Sequence, residues 1–293
     1  MRNIRKIYLR NQAGETYGLM GENGVYASGL NGLGFTLSPV FADLGHGFFV
    51  PVSDKSEPQG TVPFTVTFTR DPYREYQNFV DWVSAAGTIT VVYNPTGNRE
   101  YCRDVTINFL QKGEKNKVGW LEIPCSFFCC TPWYLPTPTT LRLNNTAGSQ
   151  RKRYSYRYTA DLRYGLDSTA ALAGTIAGGG HVPGALELTY YGAITNPQIR
   201  LTGNLTGKTY GICRVAVVLN PGDVLKISTR YENSYVKRIT AAGVETDLLD
   251  ELDLSTEPFF HIPVNEPCTV SVEADSAFSG NADLTVYYYY RSV

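Results

Sequence analysis

Tyr101-Cys102-Arg103-Asp104-Val105-Thr106-Ile107-Asn108-Phe109-Leu110 is followed by a charged turn and then by Trp120-Leu121-Glu122-Ile123-Pro124-Cys125-Ser126-Phe127-Phe128-Cys129-Cys130. The run closes on Thr131-Pro132-Trp133-Tyr134. Both arms are dense in β-branched and aromatic residues, which suit a pleated, half-buried surface. The stretch between them carries Lys112, Glu114 and Lys115, so the arms read as one long hairpin with a charged tip. Pro132 has no N–H to offer a ladder, and Trp133 and Tyr134 supply large rings at the point where pairing stops. Along the return arm, Cys125, Phe127 and Cys129 face one way and Phe128 and Cys130 the other.

Upstream, residues 62–70 alternate strictly. Phe64, Val66 and Phe68 fall on one face, and Thr65, Thr67 and Thr69 on the other. A helix is expected next, with Asp71 as cap, Pro72 in the first turn, and Tyr73, Tyr76, Phe79/Val80 and Val83 at helical spacing. Trp82 lies off that stripe, as its edge or as a partner contact, and Ala85-Ala86-Gly87 ends the helix. Residues 88–93 form a further strand, and Asn94-Pro95-Thr96-Gly97 turns the chain back to the long hairpin. Nearer the start, Ile7 and Leu9 flank Tyr8, and turns at 11–15 and 19–25 fit a β-hairpin opening. Gly29, Gly32 and Gly34 lack the GxGxxG order of a phosphate loop and read as a flexible connection.

Downstream, Leu135-Pro136-Thr137-Pro138-Thr139-Thr140 is the best linker, because alternating prolines remove donors and favour extended chain. It divides the sequence into residues 1–135 and 136–293. The second part opens with Tyr154, Tyr156 and Tyr158 alternating with Arg153, Ser155 and Arg157. Residues 174–180 read as a glycine-rich flexible loop. Strand-like runs follow at 185–191, 198–201, 210–219, 224–228, 236–240, 259–263, 269–273 and 284–291, with turns such as Asn220-Pro221-Gly222-Asp223 between them. Short strands at this spacing indicate a sandwich or jelly roll. In the last run, half of Tyr287-Tyr288-Tyr289-Tyr290 should enter the core. Tyr288 and Tyr290 are the candidates for an outward interface.

The composition agrees with a mainly β chain. Of 293 residues, 43% are hydrophobic and 13% aromatic, with 21 Tyr, 28 Gly and 16 Pro as surface formers and punctuation. Lys+Arg 26 nearly cancels Asp+Glu 27, which removes the basic footprint of a duplex-binding protein. The run Arg151-Lys152-Arg153 reads as a solvated strand edge. No apolar run reaches signal-peptide or membrane-span length, so synthesis in a cytoplasm without membrane insertion is expected. Six cysteines, at 102, 125, 129, 130, 213 and 268, include no CxxC pair and read as reduced, small buried hydrophobes. His46, His181 and His261 show no HExxH or i, i+4 pairing, and no GxSxG elbow occurs. The acidic run Asp247, Asp250, Glu251, Asp253 lacks calcium-loop order and reads as a solvated connection. No catalytic group, metal site or cofactor is expected.

The hairpin carries a resemblance. Tyr101, Arg103-Asp104-Val105, the Lys112-x-Glu114-Lys115 turn and the closing Thr131-Pro132-Trp133-Tyr134 resemble the distal tail protein family of long-tailed bacteriophages and related prophage baseplate components. Similar organisation extends over nearly the whole chain. The resemblance implies an N-terminal β-sandwich or split barrel with one helix, related to the tail-tube fold. It also implies a C-terminal jelly roll similar to a galectin or carbohydrate-binding module. By the same resemblance the chain is a structural, non-enzymatic subunit of a virion tail tip. A hexameric ring of N-terminal domains would join the tail tube and a tail-associated hub or fibre protein to receptor-binding or peripheral baseplate proteins. An alternative of another class is an adhesin whose C-terminal domain contacts host surface glycans. A glycoside hydrolase is the third reading, and no carboxylate pair supports it.

Overall fold

The computed structural model describes residues 5–35, 41–44, 46, 48–51, 59–145, 172–178, 180–264, 266–275 and 278–293. The basic run at 151–153, Arg157 and the alternating tyrosines 154, 156 and 158 lie outside them. The described chain is mainly β, with one α-helix. It divides into a unit of Met1–Pro136 with Tyr289–Val293 and a unit of Thr137–Tyr288.

The first unit contains β1 (Lys6–Arg10), β2 (Thr16–Gly18), β3 (Val25–Ser28), β4 (Phe41–Asp43), β5 (Phe49–Pro51), β6 (Thr61–Phe68), α1 (Pro72–Ala85), β7 (Ile89–Asn94), β8 (Tyr101–Leu110), β9 (Leu121–Cys129) and β10 (Trp133–Tyr134). Antiparallel pairing runs β3–β6–β9–β8–β7–β1–β2. A bridge between Met20 and Tyr26 then brings the β2 end back to β3. Strand β6 buries every second residue, Val62, Phe64, Val66 and Phe68, as its alternation requires. These join Leu9, Phe79, Ile123, Phe127 and Trp133 in one core. Among the described residues, strands β4 and β5 pair only with each other.

The helix starts and ends where expected but differs in two details. Asp71 stands at the N-cap position in the left-handed region (φ 37°), and its side chain makes no capping bond. Tyr73 is exposed, while Trp82 packs on the core and touches the Tyr17 ring at 5.5 Å. The apolar face is therefore Tyr76, Phe79, Trp82 and Val83, one step round from the stripe read in the sequence.

The second unit contains β11 (Thr139–Asn145), β12 (Leu172–Ile176), β13 (Val182–Thr195), β14 (Gln198–Gly203), β15 (Thr209–Arg214), β16 (Val218–Leu219), β17 (Val224–Arg230), β18 (Asn233–Ile239), β19 (Glu245–Asp247), β20 (Cys268–Glu273) and β21 (Ser279–Tyr290). One layer runs β19–β18–β17–β13–β21–β11. The other runs β12–β20–β14–β15. Leu188, Tyr190, Ile227, Leu284 and Val286 from the first meet Ile199, Leu201, Cys213, Val270 and Val272 from the second in a single core. The unit is thus a two-layer sandwich.

Several elements differ from the sequence reading, among them the run 210–219, which breaks into β15 and β16. Gly174-Thr175-Ile176 is not loop but the end of β12. A Cβ on Gly174 would lie 2.6 Å from Leu143 and 2.7 Å from Leu141, so this glycine serves close packing. The run 259–263 is irregular, with Phe260 and Ile262 buried, and its pairing among the described residues is a single bridge from Ile262 to Gly184. It is apolar because it fills the core, and it contributes almost no pairing.

Candidate assembly surface

The residues that close the long hairpin converge on both faces of β8. Arg103 and Asp104 are neighbours and so point to opposite sides of the strand, as do Trp133 and Tyr134 on β10. On one side Arg103 donates from Nε to the Thr131 carbonyl at 2.7 Å, and its guanidinium lies 5.5 Å over the Trp133 ring. Trp133 is fully buried, with the Tyr93 ring at 6.5 Å. On the other side Asp104 Oδ1 accepts from Tyr134 at 2.7 Å and from the Thr90 hydroxyl at 2.8 Å. Burial, and then this bond to Asp104, push the Tyr134 phenol well above its ordinary range. The Asp104 N–H donates to Thr131 Oγ1, and the Cys130 N–H donates to the Asp104 carbonyl. Thr131, Trp133 and Tyr134 therefore clamp the start of β8. Pro132 contributes by withholding a donor between them.

Tyr101 belongs to the same region. Its ring meets Tyr290 edge-on at 5.8 Å, and the Arg99 guanidinium stands over both rings, at 5.2 and 5.6 Å. Thr90 and Arg99 were not singled out in the sequence. The one available signal for Thr90 was its place in an alternating strand, which sets it across from Asp104.

Lys112 and Glu114 lie at the far end of the hairpin, away from this clamp. Tyr73 of α1 donates to Glu114 Oε2 at 2.8 Å, and that bond is the main cause of its raised pKa. Lys112 sits 5.3 Å from the Tyr73 ring and 5.5 Å from the Tyr76 ring, and Lys115 sits 4.3 Å from Tyr73. The exposed edge of the helix thus seats the tip. Asn116 organises the rest of the turn by accepting from the Val118 and Trp120 N–H groups, and Gly119 supplies the positive φ of 88°.

Between clamp and tip the hairpin has an open edge. β7 pairs with β8 only as far as Val105. Beyond it, among the described residues, the β7-side edge of Thr106–Leu110 has no strand partner. A register shift falls between Ile107 and Phe109. Ile107 and Phe109 are each 39% exposed, and in the tip turn Trp120 and Val118 are 41% and 70% exposed. A free strand edge with large apolar side chains is a template for another chain.

The remaining candidates are quiet. Five cysteines are buried and Cys130 is exposed, and all six are free thiols. Burial pushes Cys102 and Cys268 up to about 11 and Cys125 and Cys213 up to about 12. Among the described residues no group of three or more His, Cys, Asp or Glu is placed to hold a metal ion. Asp250, Glu251 and Asp253 line an open hollow with Arg214. Tyr288 and Tyr290, the candidates for an outward interface, are half-buried. Both keep the phase of Leu284 and Val286, so Tyr288 packs on the second core and Tyr290 on the first.

Comparison with known proteins places this geometry in context. Residues 6–130 match the family model described as distal tail protein, N-terminal domain. No curated protein matches the sequence. A chain of the phage P2 baseplate in its activated, calcium-bound conformation is 14% identical, with TM-score 0.61, over 99% of this chain and 100% of that one. The Dit protein of phage SPP1, described as a paradigm of hub adsorption apparatus in phages infecting Gram-positive hosts, is 9% identical. Its TM-score is 0.63, over 97% of this chain and 99% of that one. These likenesses show the shared fold.

Proposed function

We propose, from the premise that residues 6–130 carry the distal tail protein N-terminal domain, that this chain is the hub subunit of a phage tail tip or baseplate. Residues 1–135 close a head-to-tail homohexameric ring, the arrangement by which identical subunits avoid open filaments. The ring joins the tail tube and a tail-associated hub or fibre protein. Residues 136–293 hold receptor-binding or peripheral baseplate proteins. The protein is made in the host bacterial cytoplasm and ends in the virion tail, where it binds and positions without turnover.

The observation that carries the ring is the open edge of β8 with exposed Ile107 and Phe109. A subunit that ends its sheet on an apolar, unpaired edge gains by pairing that edge with a neighbour. Phe109→Lys in the whole protein should lower the assembled mass measured by light scattering. It should leave folding stability within about 0.5 kcal/mol, as for other exposed positions. An unchanged assembled mass would place the contact elsewhere.

A glycan contact by the second unit has one observation in its favour. Tyr231 is 59% exposed, and its ring lies nearly parallel to His261 at 3.9 Å, so the exposed face is held rigid for stacking. A glycan array probed with the whole protein and with Tyr231→Ala tests it. Binding that Tyr231→Ala abolishes would support the adhesin reading.

A further inference from the structure

We propose that Tyr289–Val293 is a latch that completes the first unit only after the second unit has been made. β21 runs unbroken from Ser279 to Tyr290, yet its residues up to Tyr288 belong to the second unit and Tyr289–Val293 to the first. The segment gives β10 its ladder through Trp133–Tyr290 and Tyr134–Tyr289. Among the described residues, the other ladder contact of β10 is one pair, Tyr134–Cys102. Side chains add to the seat. Arg99 donates to the Tyr290 hydroxyl at 3.0 Å, the Arg291 guanidinium stands 5.8 Å over the Phe35 ring, and Val293 packs on the first core.

The residues that receive the latch are those that close the hairpin. A chain that has reached residue 136 holds Trp133 and Tyr134 and can pair Tyr134 with Cys102, but it lacks the strand that pairs with both of them. More than 150 residues of sequence, from Thr137 to Tyr288, separate the two partners. Contacts this distant in sequence form late, because the intervening chain must be ordered first. The latch therefore makes the clamp around Arg103 and Asp104 dependent on a finished second unit. This inference concerns the order of folding and stands whether or not the chain forms a ring.

The buried thiols give a readout in each unit. Cys102 sits under the clamp, paired with Tyr134, while Cys213 and Cys268 lie in the second core. Pulsed alkylation followed by mass spectrometry should be run on the whole protein, on a chain ending at Tyr288, and on Tyr290→Ala and Tyr290→Phe. Truncation and Tyr290→Ala should each speed labelling of Cys102 by at least about tenfold, as a local opening does, with Cys213 and Cys268 within about twofold of native. Tyr290→Phe keeps the ring and should stay near native. Should truncation open the thiols of both units, Tyr290→Ala decides. Unchanged Cys102 in Tyr290→Ala, or equal opening of Cys102, Cys213 and Cys268 in it, overturns the latch.

Discussion

At the scale of single residues, burial and pairing decide which side chains matter. Trp133 fills the first core, but its indole N–H, buried, finds no acceptor among the described residues. Its worth is therefore packing. Trp133→Ala should cost roughly 3–5 kcal/mol in the first unit, and Trp133→Phe should cost clearly less, because no hydrogen bond is lost with the ring nitrogen. Denaturant unfolding read from first-unit probes checks both. Two buried carboxylates contribute to the acid response of the second unit. Glu266 accepts from the Tyr210 hydroxyl, from the Leu205 and Thr206 N–H groups and from the Thr206 hydroxyl. Asp223 accepts from the Asn220 and Ala241 N–H groups and from Arg238. These donors, Tyr210 foremost for Glu266 and Asn220 for Asp223, hold both groups below their ordinary values of 4.5 and 3.8. A depressed folded pKa stabilises above the unfolded value and is lost as pH falls through the folded one. Stability should thus fall with pH below that range, and Glu266→Gln should flatten the fall. An acid titration of the unfolding midpoint measures this. None of these donor sets was legible in the sequence, because Glu266 meets Leu205, Thr206 and Tyr210 only through tertiary contact.

At the scale of elements, legibility followed periodicity. The alternation of 62–70 gave β6, and the two arms gave β8 and β9 with nearly their observed ends. Errors arose where one residue type serves two purposes. Glycine at 174 looked like flexibility and is in fact demanded by Leu141 and Leu143. Residues 259–263 looked like a ladder strand because a core plug and a strand share the same apolar alternation. Strand β19 went unseen because Glu245, Thr246 and Asp247 are all exposed on an edge. Gly174→Ala should therefore destabilise the second unit by about 1–3 kcal/mol, the usual cost of overpacking, where a true loop glycine would tolerate it. A thermal melt of the variant separates the two cases. In the helix, Tyr73 looked like core by spacing and instead seats the hairpin tip. That role depends on Lys112, Glu114 and Lys115, some forty residues further along the chain.

At the scale of the whole molecule, composition and pattern gave a mainly β chain with one helix. Tyr101, Arg103-Asp104-Val105, the Lys112-x-Glu114-Lys115 turn and the closing Thr131-Pro132-Trp133-Tyr134 together gave the resemblance, and the match over residues 6–130 covers all of these but the closing four. Of the candidate residues, Arg103, Asp104, Thr131, Trp133 and Tyr134 do come together, while Lys112 and Glu114 form a separate cluster. The return of Tyr289–Val293 to the first unit was illegible, since nothing in a tyrosine run says which core each ring will meet. The assembly surface was illegible for a different reason: an exposed Ile107 or Phe109 is informative only once the strand edge beside it is known to be open. The most direct measurement is negative-stain electron microscopy of the whole purified protein, at high concentration and on added tail tubes. Rings of hexameric symmetry closed through residues 1–135, with residues 136–293 projecting, are the predicted result. Monomers under both conditions, or rings closed through residues 136–293, would contradict it.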